Sequence, residues 1–158
     1  MIENSEFIGL IIGIGMCLSL MLTETLGVTA GGVIVPGYIG LYLDKPLQII
    51  TTFCVALIVL SIIRFLSDYI FIYGKRRLVL SLILGFLFGY LSKIYLNPDQ
   101  VASSLFAIDL SSIGNIIPGL LASWMDRQGA VKTISVVVII AIASRLILIV
   151  LTGGSFYV

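Results

Sequence analysis

The sequence predicts an all-α protein that passes through a membrane several times and consists of two inverted three-segment repeats. Composition is the first of three observations behind this prediction: hydrophobic residues make up 59% of the 158-residue chain, and charged residues make up only 11%. A soluble domain is closer to a quarter charged, because its surface faces water. The other two observations are a series of long apolar stretches and an internal repeat with a Pro-Gly pair in each half.

Four of the apolar stretches approach or exceed the roughly 20 residues that a membrane-spanning helix needs. They cover residues 7–23, 47–73, 78–96 and 133–151. Two shorter stretches, 28–43 and 113–125, are each interrupted by Pro-Gly. Proline is favoured in the first turn of a helix, so Pro36 and Pro118 predict the starts of two half-helices.

The internal repeat aligns residues 33–45 with residues 115–127 without a gap. It pairs Pro36-Gly37 with Pro118-Gly119 and Asp44-Lys45 with Asp126-Arg127. Each half then has three crossing segments, an odd number, so the second half is predicted to be inverted relative to the first. We predict a single transmembrane domain with these bounds: 1–158 overall, repeat 1 over about 7–74 and repeat 2 over about 78–152.

The first and third long stretches also share a glycine spacing. Gly9-x-x-x-Gly13 in the first stretch is the counterpart of Gly85-x-x-x-Gly89 in the third. This spacing is typical of helices that pack closely in membranes.

The two interrupted segments are candidates for a binding site near the membrane midplane, because they occupy matching positions in inverted halves. Unpaired N–H groups at a half-helix start, together with the helix dipole, favour anions. Pro36, Gly37, Pro118 and Gly119 are therefore candidate residues of a substrate path. The alternative is a pair of structural kinks whose backbone groups are satisfied by neighbours. On the first interpretation, replacing Pro-Gly by Ala-Ala is expected to leave the protein folded while closing the polar centre.

Three charged residues in or beside the apolar stretches are further candidates for this path: Glu24, Arg64 and Arg145. Charged side chains are costly in lipid and indicate function by default. Asp68 follows Arg64 by one helical turn and is a candidate partner for it. Arg145 has no such neighbour in sequence. The alternative for both arginines is a long side chain that extends to the membrane surface.

The basic cluster Lys75-Arg76-Arg77 sets the predicted orientation, because Lys and Arg are enriched in cytoplasmic loops. If both interrupted segments cross the membrane, the chain makes six passes with both termini outside, and Arg127 and Lys132 are also cytoplasmic. If the segments re-enter, those two residues lie outside. Crossing is the preferred interpretation.

Composition also excludes several classes of function. The net charge of +1 provides no basic surface for nucleic acid. The chain has no histidine, which removes histidine-based acid–base catalysis and the commonest metal ligand. Cys17 and Cys54 lie alone in apolar stretches without metal-ligand spacing. No catalytic residue, metal or cofactor is therefore predicted, and the sequence contains no nucleotide-binding motif.

Three groups of residues resemble the motifs of a known family. They are residues 24–41, which begin Glu24-Thr25-Leu26-Gly27 and contain Pro36-Gly37, residues 73–77, and residues 114–122 followed by Gln128-Gly129. Over nearly its whole length the chain resembles the CapC/PgsC family, the membrane subunit of bacterial poly-γ-glutamate synthase. Thr29 stands where the family pattern has proline.

The resemblance implies a multi-pass protein of the bacterial cell membrane that takes part in poly-γ-glutamate capsule biosynthesis and polymer export. It implies three partners: an ATP-dependent amide ligase subunit like CapB/PgsB, an extracytoplasmic subunit like CapA/PgsA, and the anionic polymer itself. Whether the chain also forms a homo-oligomer is left open by the sequence. The chain is then expected to be non-catalytic alone, to anchor the ligase through Lys75, Arg76 and Arg77, and to form the polymer conduit. The alternatives are a non-conducting scaffold that docks and activates the ligase, and a small secondary transporter.

Overall fold

The computed structural model of the chain describes residues 2–27, 29–69, 74–95 and 113–151. Its helices, in chain order, are α1 (Ile2–Leu26), α2 (Val35–Leu41), α3 (Pro46–Tyr69), α4 (Lys75–Tyr95), α5 (Ile117–Gln128) and α6 (Ala130–Leu151). No strand occurs within the described part of the chain. The all-α prediction is therefore confirmed, with four long helices and two short ones where the sequence predicts them.

Three of the long helices are apolar and long enough to cross a membrane. The qualifying stretches are Ile8–Thr25 in α1, Pro46–Ser67 in α3 and Ala130–Leu151 in α6. Most residues of each stretch are not buried within the protein. Large apolar side chains such as Met21 and Phe65 point outward. Lipid is the environment in which such an exposed apolar surface is stable.

Both short helices begin at the Pro-Gly pairs, as the sequence predicts. Pro36 and Pro118 occupy the first turns of α2 and α5, where a missing N–H group breaks no helical hydrogen bond. The two helices end differently. After α2, Tyr42 N donates to Ile39 O at 3.1 Å. α5 ends before Gly129, whose φ of +96° favours glycine and separates α5 from α6.

The two halves of the chain exchange their third helices. Within each half the first long helix packs on the short helix, α1 on α2 and α4 on α5. α6 packs against α1 and α2, while α3 packs against α4 and α5. The same set of helix contacts therefore occurs twice: a long helix and a short helix of one half pack together and against the third helix of the other half. The correspondence supports a duplication, and the inverted orientation of the halves stays a prediction.

Two glycine pairs bring the short helices into backbone contact with the long ones. A Cβ atom on Gly15 of α1 would lie 2.5 Å from the Cα of Gly37 in α2. A Cβ atom on Gly85 of α4 would lie 2.3 Å from the Cα of Gly119 in α5. No side chain fits at these distances, so glycine is required for the helices to approach this closely.

Gly15, rather than Gly9 or Gly13, is therefore the structural counterpart of Gly85. A Cβ atom on Gly9 or Gly13 would meet no heavy atom within 4 Å. The sequence match between the two Gly-x-x-x-Gly spacings is wrong in register. Glycine is frequent in this chain, so spacing alone does not identify which glycines form a contact.

The centre of the bundle is a continuous apolar cluster. Its buried members include Ile39 from α2, Val59 from α3, Leu121 and Met125 from α5, and Val137 from α6. In lipid, such a cluster is stabilised by close packing rather than by exclusion of water. The cluster joins helices of both halves, so the repeats form one folding unit.

Candidate functional site

Each arginine within an apolar stretch approaches an aspartate at the end of an interrupted segment. Arg145 on α6 binds Asp44, which follows α2, and its Nη2 atom lies 2.6 Å from Oδ1 and 2.7 Å from Oδ2. The sequence offers Arg145 no nearby partner, and the fold provides one from the other half of the chain. The Asp44 side chain is 53% exposed, so this pair lies at the surface of the bundle.

The corresponding aspartate in the second half, Asp126, is shared by two arginines. Arg77 on α4 binds it closely, with Nη2 2.8 Å from Oδ1 and Nε 2.6 Å from Oδ2. Arg64 on α3 stands farther away, with Nε 3.9 Å from Oδ1. The Asp126 side chain is 12% exposed and that of Arg64 is 59% exposed. The side chain of Asp68, the sequence-predicted partner of Arg64, lies outside the described part of the chain.

The two contacts occupy matching positions of the internal repeat. Asp44 aligns with Asp126, and Arg145 lies at nearly the same distance downstream as Arg64. In both cases the arginine belongs to the third helix of one half and the aspartate to the interrupted segment of the other half. They differ in one respect: at Asp126, Arg77 takes the close position that Arg145 takes at Asp44.

A cavity of about 330 Å³ opens beside Asp126 between α3, α4 and α5. The polar side chains that line it are those of Arg77, Ser81, Ser123, Asp126 and Arg127. Two guanidinium groups therefore face one carboxylate, which makes the cavity electropositive. Its volume is within the range of small-molecule binding sites.

Two polar groups of this cavity lack a hydrogen-bond partner among the described residues. Ser123 is 8% exposed, and its hydroxyl group bonds to no described atom. Arg77 Nε lies close to Asp126 Oδ2, but its N–H is not aligned for a hydrogen bond. Arg77 still has an ion-pair partner in Asp126, so the Ser123 hydroxyl is the group in this cavity that is free to meet water or a ligand.

More cations surround the cavity at this end of the bundle. The guanidinium group of Arg127 lies 5.5 Å from the centre of the Trp124 ring, a cation–π contact. Lys75 and Arg76, at the start of α4, are exposed to the surroundings. The basic cluster predicted to be cytoplasmic therefore lies at the same end as the cavity.

A hydrogen-bonded group joins the two halves at this end, between residues that the family resemblance names without indicating a contact. Gln128 Oε1 accepts from Thr29 N at 3.2 Å and from Thr29 Oγ1 at 3.1 Å. Gln128 Nε2 donates to Thr29 O and, at 3.0 Å, to Thr133 Oγ1. Proline, the residue expected at position 29 from the resemblance, has no N–H to donate, so the Thr29 N–H bond depends on the threonine found in this chain. The residues are too far apart in sequence for a local pattern to indicate this contact.

The first interrupted segment runs along the bundle instead of returning to its starting level. It begins at Thr29, joined through Gln128 to Thr133 on α6, and ends at Asp44, beside Arg145 on the same helix. Thr133 and Arg145 are separated by about 18 Å along α6 at 1.5 Å per residue. The two ends of the segment therefore lie at different depths.

The second interrupted segment follows a corresponding course along α3. At its start, Ile113 N donates to Thr52 Oγ1 at 2.8 Å, and near its end Asp126 approaches Arg64. Thr52 and Arg64 are again separated by about 18 Å along the helix. A re-entrant hairpin would bring both ends to one depth, so these contacts favour segments that cross.

We therefore expect thiol labelling to show that the two ends of the bundle lie on opposite sides of the membrane. In a variant without Cys17 and Cys54, Arg76→Cys and Arg127→Cys should resist a membrane-impermeant thiol reagent in intact cells, and Lys45→Cys should react. A membrane-permeant reagent should label all three positions. Labelling of Arg127→Cys by the impermeant reagent would support re-entrant segments instead.

None of the remaining sequence-predicted path residues lines this cavity, although Gly119 O accepts a hydrogen bond from Ser81, which does. Pro36 and Gly37 are buried against α1, and Pro118 and Gly119 against α4. Glu24 is exposed near the end of α1 and forms no ion pair with any described residue. Their assignment to a polymer path stays a prediction.

The expectation that Ala-Ala variants of the Pro-Gly pairs stay folded is wrong. A Cβ atom on Gly37 would lie 2.8 Å from Ile12 Cα, and one on Gly119 would lie 2.7 Å from Ser81 O. Both are backbone atoms of a packed helix, so alanine forces the helices apart. Sequence reasoning considered only the propensity of the short helix, and the neighbouring helix decides the outcome.

Comparison with known proteins relates this arrangement to a family. The family described as Capsule biosynthesis CapC matches residues 14–134, which contain both interrupted segments and the cavity residues. The chain belongs to the CapC family. The assignment made from the sequence motifs is thereby confirmed.

Two CapC relatives from Bacillus are similar over most of their length. The protein named PGA biosynthesis protein CapC from Bacillus subtilis (strain 168) is 33% identical over 138 residues, covering 84% of this chain and 86% of the relative. The Capsule biosynthesis protein CapC of Bacillus anthracis is 28% identical over 146 residues, covering 89% and 91%. No solved structure matches the chain significantly.

Proposed function

We propose that this chain is the membrane subunit of a poly-γ-glutamate synthesis and export complex in the bacterial cell membrane. Its two CapC relatives bear names of PGA and capsule biosynthesis. The observation that carries the proposal is the electropositive cavity beside Asp126, at the end of the bundle with the basic cluster. A polyanion would arrive at this end if a ligase made it in the cytoplasm.

The same end is the proposed docking surface for an ATP-dependent amide ligase subunit of the CapB/PgsB type. Lys75 and Arg76 are exposed, whereas Arg77 is engaged with Asp126. In this proposal Lys75 and Arg76 therefore contact the ligase, and Arg77 contributes to the cavity. An extracytoplasmic subunit of the CapA/PgsA type meets the opposite end, near Asp44.

The proposed polymer path lies along the surface of the chain, between copies of it or between it and its partners. Apolar side chains of α2, α3, α5 and α6 fill the described centre of the bundle, and a chain of carboxylates is costly to place there. The same packed centre favours a second candidate function, a scaffold that docks and activates the ligase without conducting polymer.

Complementation of a strain that lacks this gene tests the proposal. The unmodified chain should restore extracellular polymer and should co-purify with the ligase. The double variant Lys75→Gln/Arg76→Gln should lose most of the co-purifying ligase, because the docking charges are removed. Lys45→Gln, a cation at the opposite end, is the matched control. Full polymer output without this chain would refute the proposal.

Inverted membrane vesicles distinguish the conduit from the scaffold. Given ATP and glutamate outside, a conduit should deliver polymer into the vesicle lumen, where it is protected from an added γ-glutamyl hydrolase. A scaffold should leave the polymer outside and sensitive to the enzyme.

A further inference from the structure

We propose that the cavity beside Asp126 binds a chain of carboxylates through Arg77, while Arg64 replaces Arg77 as the ion-pair partner of Asp126. The identity of the ligand as a γ-linked glutamate chain rests on the proposed function. The site itself rests on the geometry of the cavity. Neither the family description nor the names of the relatives assign a ligand to these residues.

Unused donors within the cavity are the first support for a ligand. Ser123 is a buried residue, at 8% exposed, that lines the cavity, and its hydroxyl bonds to no described atom. Arg77 Nε is buried, and its N–H is misaligned with the nearby carboxylate. An oxyanion in the cavity would accept from both groups, and guanidinium–carboxylate bonds are among the stronger hydrogen bonds in proteins.

The charge balance of the site is the second support. Arg64 and Arg77 both approach Asp126, and Arg127 lines the same cavity, where Asp126 is the one acidic residue among the described lining residues. Together, Arg64, Arg77, Arg127 and Asp126 carry a net positive charge. A carboxylate ligand offsets that charge and stabilises the site.

The second arginine near Asp126 makes ligand binding to Arg77 feasible. Asp126 is 12% exposed, so losing its cation without replacement would leave an unpaired and largely buried charge. Arg64 Nε already stands 3.9 Å from Oδ1. The repeat shows the closer arrangement in its other copy, where Arg145 holds Asp44 at 2.6 Å and 2.7 Å.

Arg64 is accordingly a positioning residue, and Arg77 and Ser123 are the ligand-contacting residues. When a carboxylate occupies the cavity, Arg77 turns its guanidinium group toward the ligand. Arg64 then closes on Asp126 in the manner of Arg145 on Asp44. Ligand binding and the Arg64–Asp126 contact are therefore coupled.

The chain contains its own reporter for the test, because Trp124 is its one tryptophan and its ring contacts Arg127, which lines the cavity. The full-length protein in neutral detergent is titrated with tri-γ-glutamate at constant ionic strength while tryptophan fluorescence is recorded. Equilibrium dialysis with labelled trimer provides an independent binding constant. We expect saturable binding by both methods.

Variants that spare the fold test the residues. Ser123→Ala should weaken trimer binding about tenfold, as loss of a hydrogen bond to a charged group predicts. Arg64→Gln should weaken it by a similar factor without contacting the ligand, and Arg64→Lys should restore most of the affinity. Ser144→Ala and Lys45→Gln, at the other end of the bundle, should bind like the unmodified chain.

Parallel titrations with inorganic phosphate and with phosphatidylglycerol micelles identify the ligand chemistry. Equal or tighter binding of either one would overturn the assignment to a carboxylate chain, as would the absence of saturable trimer binding. Unchanged affinity of Arg64→Gln would overturn the role of Arg64. If the protein does not bind the trimer but gene deletion still abolishes polymer, this inference is refuted and the proposed function is retained. If the protein binds the trimer but gene deletion leaves polymer output unchanged, the proposed function is refuted instead.

Discussion

Gly15→Ala and Gly85→Ala are expected to destabilise the protein more than other single methyl additions to α1 and α4. The added Cβ atoms would lie 2.5 Å and 2.3 Å from the Cα atoms of Gly37 and Gly119. Overpacking costs typically 1–3 kcal/mol, and we expect about 3 kcal/mol here because the obstacle is helix backbone rather than a movable side chain. Unfolding of the purified protein in a detergent mixture of increasing dodecyl sulfate fraction measures the loss.

Gly9→Ala and Gly13→Ala are the matched controls on α1. A Cβ atom meets no heavy atom within 4 Å at either position, and alanine is a better helix former by about 1 kcal/mol. These variants should equal or exceed the stability of the unmodified chain. If Gly15→Ala proves as stable as Gly13→Ala, the close contact between α1 and α2 is absent in the folded protein.

Asp126→Asn is expected to lower stability far more than Asp44→Asn, although the two aspartates align in the repeat. Loss of the Asp126 charge leaves Arg77 and Arg64 facing each other without their shared anion. Removing one partner of a buried pair costs about 3–5 kcal/mol, and about 3 kcal/mol is expected because the arginines are partly exposed. Asp44 is 53% exposed, so its variant should lose less than about 1 kcal/mol.

The same unfolding measurement includes two controls for the Asp126 cluster. Arg64→Gln keeps the close Arg77 contact and should lose less than about 1 kcal/mol. Arg77→Gln removes the close contact but leaves Arg64 as a cation partner for Asp126, so its loss should stay well below that of Asp126→Asn. Equal losses for Asp126→Asn and Asp44→Asn would contradict the difference in burial between the two sites.

The composition and local pattern of the chain were sufficient to predict its elements. Long apolar stretches lack water-facing surface, and a backbone in lipid satisfies its hydrogen bonds by forming helices. Pro36 and Pro118 start short helices because proline fixes φ and lacks an N–H, effects that depend on the residue itself. The motif resemblance was sufficient to predict the family for a similar reason, since it rests on residue types at set positions.

Contacts between distant residues were decided only by the tertiary structure. The sequence by itself determined that Arg64 and Arg145 are unusual, but not that Asp126 and Asp44 are their neighbours, because each arginine meets an interrupted segment of the other half. It likewise determined that glycines are frequent, but not that Gly15 is the one that touches α2. Helix propensity and hydropathy act within a few turns, whereas the cavity beside Asp126 exists only where three helices converge. The physical reason is that a helix's sequence sets which groups it displays, while packing sets which groups they meet.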